Sequence, residues 1–563
     1  MSKVELYESL ADAFLREVTT GTTTKCSVWA TRRRIMGSPF PGPYGFLHHP
    51  WCRDIHDSQA TYTVAMKAAQ TGVTEVGINR AFYTLDKLKR DVLYVLPTTL
   101  AAGDFSTHRF TGALNLSPYL TKLFVATNKV QLKSTGINVL YIRGSRGKTN
   151  MKSIPVSELI LDEIDEMSRE AVGLALERLS GQVEKHILAL STPTVPQRGI
   201  HKLYLESTQE HFTFKCPCCG KFTELIWPNC VEVIGDSVSD PRCHESFLKC
   251  KECGGKLEHS TKTEWLASGK WQTTNKQVSR KESRGFYINQ LYSSTVTPGE
   301  LVIQYHRGIG DEAANQEFFN SKLGLPFVGE GAQITDEMID RAVGDHSISD
   351  LRPATSEGLR TLGCDQGKIC YVSIVDWRLG KNAELDIQAA ARGKLIWFGT
   401  FLEDDFEYLD ELMREWQILG AVIDLDPQVN EVREFCRRFP GCAWGSRYRR
   451  GQTAKELTVS DEDTGAPLAT VDRTAWISCA LGRLKTNPPR LILPRDISTE
   501  YRSHLKSLCR SYVRDKTGNS VAEYLTTGGQ DHFSHSLVYA TIGLSLVVDS
   551  GVLNQNRNIT GVI

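Results

Sequence analysis

Two short apolar runs flanking one helical span constrain this chain more than any other stretch. Within residues 156–194, Leu159, Ile160 and Leu161 stop at Asp162 and Glu163, and the run ILAL at 187–190 stops at Ser191 and Thr192. Runs this short that end abruptly in polar residues read as buried parallel strands, delivering their polar residues at the carboxyl edge of a sheet. That edge is where open α/β sheets bind ligands. An Asp-Glu pair there suits nucleotide hydrolysis, with Asp162 holding Mg²⁺ through water and Glu163 polarising the attacking water. In isolation the same stretch also reads as a strand running into a solvated acidic turn, so the rest of the chain decides.

A matching loop lies upstream. Residues 61–66 read as a strand and 75–84 as a helix, and between them stand Lys67, Ala68, Ala69, Gln70, Thr71, Gly72, Val73 and Thr74, with Glu75 opening the helix. Such a loop offers backbone N–H groups and the positive end of a helix dipole to phosphate. It departs from G-x-x-x-x-G-K-[ST]: Gly72 and Thr74 are in place, but Val73 stands where the lysine belongs and Lys67 where the first glycine belongs. A lysine at the loop's entrance reaches the same phosphates from the other side. Trp51, just upstream, either stacks on adenine or packs in the core. Arg143 and Arg146, in the Gly-rich stretch YIRGSRGK, are candidates for a neighbour's γ-phosphate or for DNA phosphates, and are otherwise solvated loop arginines. With a further strand at 91–97, the order is that of an additional-strand ATPase core. Ser191 and Thr192 would then sense the γ-phosphate and pass hydrolysis on to a moving part.

At 563 residues the chain exceeds one ordinary core, and 66 basic residues balance 66 acidic ones, so any basic surface is local. No apolar run approaches the roughly 20 residues of a membrane span. The N-terminus carries an amphipathic helix pattern at 4–18 and no signal-peptide core, which predicts a cytosolic protein with no membrane partner. In such a chain 15 cysteines point to metal binding or burial. Cys216 and Cys219 with Gly220, then Cys250 and Cys253 with Gly254, form two C-x-x-C-G knuckles. Four thiolates close a tetrahedral shell and leave no open position, which predicts one structural Zn²⁺ in a ribbon. Cys218, Cys243 and His244 are substitutes for one ligand.

Beyond a boundary at 355–359, the pattern at 359–364 is a strand ending in Asp365, followed by a second strand at 369–377. The run GAVID ends another at Asp424, with Asp426 two residues on, and a helix starts at Asp531 with His535 one turn later. Taken singly, each Asp is more often a turn or an N-cap. Together, carboxylates on two strand ends and a helix start suit a nuclease holding two Mg²⁺ or Mn²⁺ about 4 Å apart, on a ribonuclease H-like sheet. The expected plan is an arm at 1–45, an ATPase core at 46–210, a zinc ribbon at 211–260, a connector at 261–355, a nuclease at 356–545 and a tail at 546–563.

In order, MKAAQTGVTE, LILDEIDEM, LSTPT, the CPxCG knuckle, INQLYSS, NSKLGLPF, GCDQG, VIDLDP and DHFSHSLVYA resemble the large subunit of tailed-phage terminases. The likeness is to the lambda-type GpA branch and runs from about residue 50 to 540. It implies an N-terminal ATPase that moves double-stranded DNA into a procapsid and a C-terminal nuclease that cuts concatemers. On the matching positions, Lys67, Gly72 and Thr74 would bind phosphate and Mg²⁺, Asp162 would hold Mg²⁺, and Glu163 would be the base. Asp365, Asp424 and Asp531 would bind the nuclease metals. The displaced lysine is a known style of these motors. A small terminase subunit, a portal on the procapsid and the host cytoplasm are further implications, with a pentamer on the portal and a monomer in isolation. The chain departs from the family at two places. Trp51-Cys52 replaces an aromatic-Gln pair that reads adenine, and His535 stands where many relatives have Asp. The third nuclease ligand is therefore Asp531 alone or with His532 or His535, and Asp426 competes with Asp424. A helicase-nuclease and a DNA-binding scaffold with silent sites are the rival readings.

Overall fold

The computed structural model describes residues 25–124, 126–146, 151, 154–350, 358–380, 386–403, 405–449, 457–461, 466–515 and 519–549. The helix expected at 4–18 lies outside them, as does the tail from 550 onward. The chain forms two compact units, Met1–Phe327 and Val328–Ile563.

The first unit is built on strands β1 (Tyr62–Lys67), β2 (Val92–Leu96), β3 (Val139–Gly144), β4 (Glu158–Asp162), β5 (His186–Ser191), β6 (Glu210–Lys215) and β7 (Ser283–Ile288). They run parallel in the order β6-β7-β1-β5-β4-β2-β3, with short antiparallel strands at both edges. Alternate residues feed opposite faces, as strand geometry demands. Val64, Leu93, Leu161 and Ala189 enter one core, and Ala65, Tyr94, Ile160 and Leu188 the other. Burial on both sides is why these strands read as unbroken apolar runs. The strand ending in Ser191 lies between those ending in Lys67 and Asp162, the additional-strand order anticipated above. Helix α1 (Val73–Tyr83) follows β1 across the expected loop.

The plan differs from expectation between 261 and 355. Strand β7 lies inside the main sheet, paired with β1 along its whole length from Ser283 opposite Tyr62 to Ile288 opposite Lys67. The first unit's sheet therefore continues past 210, and the stretch read as a connector belongs to that unit as far as Phe327. The cysteine knuckles sit in an excursion between β6 and β7 that carries its own three-stranded antiparallel sheet.

In the second unit, β8 (Leu359–Asp365), β9 (Ile369–Arg378) and β10 (Arg392–Leu402) form an antiparallel meander. Then β11 (Gly420–Asp424) joins β8 in parallel and β12 (Ala443–Arg449) joins β11. Helix α2 (His532–Asp549) lies directly on this sheet. The contact is made possible by Gly363, where a Cβ would stand 1.9 Å from the Ser536 carbonyl oxygen, and it is pinned by Thr361 Oγ1 donating to the Ala540 carbonyl at 2.7 Å. The helix runs to Asp549, so residues 546–549, expected in the tail, belong to it. Among the described residues no helix is long and apolar enough to cross a membrane.

Candidate functional site

At the carboxyl edge of the first sheet, the last residue of β1 meets the residue after β4. Lys67 Nζ lies 2.8 Å from Glu163 Oε1. Glu163 reaches this position through a left-handed backbone, φ +59°, which costs a non-glycine residue roughly 1–2 kcal/mol. Its N–H is tied to the Leu190 carbonyl at 2.8 Å. Its second carboxylate oxygen accepts from Ser191 Oγ at 3.1 Å and from Thr192 N–H and Oγ1 at 3.3 Å each. Burial would raise the Glu163 pKa, but the Lys67 ammonium and these donors hold it below the usual range.

Asp162, the last residue of β4, is buried. Tyr94 OH donates to its Oδ2 at 2.6 Å, while Oδ1 has no hydrogen-bond partner. Burial, then the adjacent Glu163 charge, pushes its carboxyl upward. A buried carboxylate oxygen left unpaired beside a phosphate-type loop fits a hydrated Mg²⁺. Asp165 anchors the segment after β5: Thr194 N–H and Oγ1 donate to it at 3.0 and 2.9 Å, and Ile200 N–H at 2.8 Å.

The loop from Lys67 to Thr74 is shaped by two positive-φ residues, Gln70 at +58° and Gly72 at +78°. A Cβ on Gly72 would also come within 2.9 Å of the His49 ring, so the position accepts glycine on both counts. Thr71 Oγ1 closes the turn on the Ala68 carbonyl at 3.0 Å. Val73 turns its side chain into the core, and Thr74 sits half-buried in the first turn of α1.

Three of the candidate residues are engaged by other parts of the first unit. Trp51 is fully buried among Phe212, Tyr292 and His49, and its indole N–H donates to the Thr71 carbonyl at 2.8 Å. It braces the loop from behind and shows no face on which adenine could stack. Glu75 pairs with Arg34 and with Arg109, the latter at 2.6 Å. Arg143 donates to the carbonyls of Gln131 at 2.6 Å and Ile142 at 3.0 Å, which engages its guanidinium within its own sheet. Arg146 is exposed beyond the end of β3, and its charge is felt by Glu166.

A cavity of about 900 Å³ opens beside the loop, lined by Lys67 and residues 70–75 and by Arg34, Phe40, His48 and Arg109. Phe40 and His48 stack with centroids 3.8 Å apart and planes at 10°. These four residues were not singled out from the sequence. Phe40 lies in the turn-rich stretch SPFPGPYG at 38–45, a pattern that shows a bend without showing what the bend faces.

In the excursion, the sulfurs of Cys216, Cys219, Cys250 and Cys253 lie within 4.8 Å of one another. Backbone N–H groups of Cys218, Glu252 and Gly255 point at Cys216, Cys250 and Cys253 sulfurs at 3.3–3.4 Å, and Gly220 and Gly254 supply the positive φ of each knuckle. Four converging, hydrogen-bonded sulfurs fit a tetrahedral Zn²⁺. Cys243 donates instead to the Ser237 carbonyl.

In the second unit, Asp365 at the end of β8 lies 2.8 Å from His532 Nδ1, and that ring stacks on Tyr371. Asp424 ends β11; burial, then the Asp365 charge, pushes its carboxyl up to about 7. Asp531, just before α2, accepts from Thr526 Oγ1 at 2.8 Å and faces His535 Nε2 at 3.6 Å. Burial would raise Asp531, but the His535 partnership holds it well below the usual carboxylate range. His535 Nδ1 is itself 3.0 Å from Tyr448 OH. Asp426 is exposed and paired with Arg447 at 3.0 Å, while the Asp365 charge acts on Asp424. Among the described residues, the four cysteines are the one group of three or more His, Cys, Asp or Glu side chains whose ligand atoms converge within 4.8 Å.

Residues 38–271 match the family model described as the ATPase domain of phage terminase large subunit gpA. A search of curated proteins finds no match. Among solved structures, the HK97 bacteriophage large terminase aligns over 92% of this chain and 98% of its own, at 11% identity and TM-score 0.50, a likeness of fold. The Thermus phage P74-26 large terminase ATPase domain covers 51% of this chain and 95% of its own at 14% identity and TM-score 0.30. The large terminase nuclease from thermophilic phage G20c covers 36% and 94% at 15% identity and TM-score 0.21. The resemblance carried by the motifs therefore holds: this chain is similar to the large subunit of a tailed-phage terminase of the lambda-type gpA branch, and residues 38–271 match the model of that family's ATPase domain.

Proposed function

We propose that this protein is the motor subunit that moves double-stranded DNA into a procapsid by hydrolysing ATP, and that its second unit is an endonuclease cutting concatemeric DNA. The observation that carries the motor reading is the junction of Lys67, Glu163, Ser191 and Thr192 at the ends of three adjacent strands. Lys67 pairs with the carboxylate of Glu163. Phosphate oxygens entering the loop compete for that ammonium and release Glu163 to orient and deprotonate a water. Ser191 and Thr192 register the release because both donate to the same carboxylate. Asp162 would hold Mg²⁺, which neutralises charge on the phosphates when bound.

In the second unit, the meander of β8, β9 and β10 followed by parallel β11 and β12 supports a ribonuclease H-like reading. Asp365, Asp424 and Asp531, with His535 beside Asp531, would hold two Mg²⁺ or Mn²⁺, and two such cations stabilise the attacking and leaving oxygens of the phosphodiester. Arg146 is the arginine left exposed for a neighbouring subunit or DNA. A small terminase subunit, a portal and a pentamer on it, in the host cytoplasm, complete the proposal.

The rival helicase-nuclease makes a different product. With ATP and procapsids, this protein is expected to protect intact duplex from added nuclease and to release no labelled strand in a displacement assay. ATP-dependent strand release would overturn the motor reading.

The four-cysteine site is proposed to hold one structural Zn²⁺. Cys250→Ser is expected to reduce bound zinc from one per chain to none and to lower the melting temperature by roughly 5 °C or more, since structural zinc contributes directly to folding. Equal melting of zinc-loaded and zinc-stripped wild-type protein would remove that role.

A further inference from the structure

The phosphate loop and the segment after β5 share a neighbour far along the chain. The helical turn Phe318–Lys322 and the residues behind it touch both. Asn320 Nδ2 donates to the Thr194 carbonyl at 2.9 Å and to the Leu325 carbonyl at 2.8 Å, so two acceptors fix the orientation of its amide. The carbonyl of the next residue, Ser321, accepts from Ala69 N–H at 2.8 Å. Gly324, at φ +63°, lies so close to the loop that a Cβ would stand 2.6 Å from Ala68 N, and no other residue fits that contact. The Phe327 N–H then returns to the same Thr194 carbonyl at 3.0 Å. Tyr287 OH, on β7, steadies the strap through the Leu323 carbonyl at 2.7 Å.

Thr194 is thus gripped from two sides. Its N–H and hydroxyl belong to Asp165, two residues after Glu163, and its carbonyl belongs to the strap. A shift of the loop acts on Ser321, and a shift of the Ser191–Thr194 segment acts on Asn320. The two are consecutive in one turn, which joins the two halves of the site. Past Phe327 the chain enters the second unit.

We infer that Asn320 is a positioning residue that ties the nucleotide state of the phosphate loop to the chain leaving the first unit at Phe327. It acts through Thr194. The inference rests on the ATPase reading, and one experiment separates the two. Hydrogen exchange is followed in the full chain with and without AMP-PNP and Mg²⁺. In the wild type, amides at 66–74 and at 318–328 are both expected to slow at least threefold on adding nucleotide. In Asn320→Ala, and in Asn320→Asp, which keeps the shape but loses the donors, 66–74 should still slow while 318–328 no longer responds. ATP turnover in both variants should fall about tenfold in kcat with KM within threefold of wild type. Slowing at 66–74 with no response at 318–328 in the wild type overturns the inference, as does an undiminished response in either variant. The wild-type arm stands if neither variant folds. No response at 66–74 in the wild type would instead overturn the ATPase reading itself.

Discussion

Glu163→Gln is expected to lower DNA-stimulated ATP turnover by roughly 10²–10⁴-fold, the usual worth of a positioned general base, while ATP binding stays within about threefold of wild type. Gln keeps the length of the side chain and can still accept from Ser191 and Thr192. What it loses is the charge that Lys67 holds at 2.8 Å and the basicity to take a proton from water. Lys67 is then left with less anionic company in a buried position, which draws it more strongly toward phosphate. Binding is therefore preserved as hydrolysis stops. Filter binding of labelled ATP beside phosphate release in the presence of DNA reads both quantities. Retained turnover would take Glu163 out of the base role.

The second large effect is on cutting. Asp365→Ala should abolish Mn²⁺- or Mg²⁺-dependent cleavage of plasmid DNA, a loss of at least about 10²-fold, and leave ATP turnover intact. The pH dependence follows from Asp424. Its carboxyl is pushed up to about 7 by burial and then by Asp365, so below that pH a proton occupies the oxygen a cation needs. Cation affinity of the second unit should rise as pH climbs to 7 and level off above it. Without cations the sign for folding is the reverse. A carboxyl raised above its unfolded value contributes stability that is complete below about 4 and is lost as pH rises through about 7. In Asp365→Ala one raising charge is gone, so Asp424 should titrate lower in the variant. Cleavage by the variant at wild-type rate, or cation affinity flat between pH 6 and 8, would reject this assignment.

The strand ends were legible because they are local. Leu159 to Leu161 stopping at Asp162-Glu163 states both a buried strand and the place where it surfaces, and the structure puts Asp162 at the end of β4. The cysteine knuckles were legible for the same reason, each being a turn with its glycine. Strand β7 was not, because SRGFYI becomes an interior strand only by pairing with Tyr62–Lys67, which no nearby residue announces. Trp51 shows the converse. An aromatic ahead of a nucleotide loop has two physical uses, platform or brace, and the choice depends on Phe212 and Tyr292, far along the chain, closing over the ring. Motifs such as INQLYSS and NSKLGLPF carried recognition without a mechanism. Their use emerges only in three dimensions, where Gln290 donates to the Ala69 carbonyl at 2.8 Å and Asn320 to Thr194.

Glu163 at φ +59° bears on how such a site persists under mutation. A glycine there would relax the backbone, and an apolar residue in place of the buried Lys67 would remove an ammonium that needs a counter-charge. Both changes made together would leave a firmer and inert protein. The junction is thus a place where random drift toward greater stability runs against the proposed turnover, and a glutamate in a glycine's conformation is kept only where its carboxylate is used.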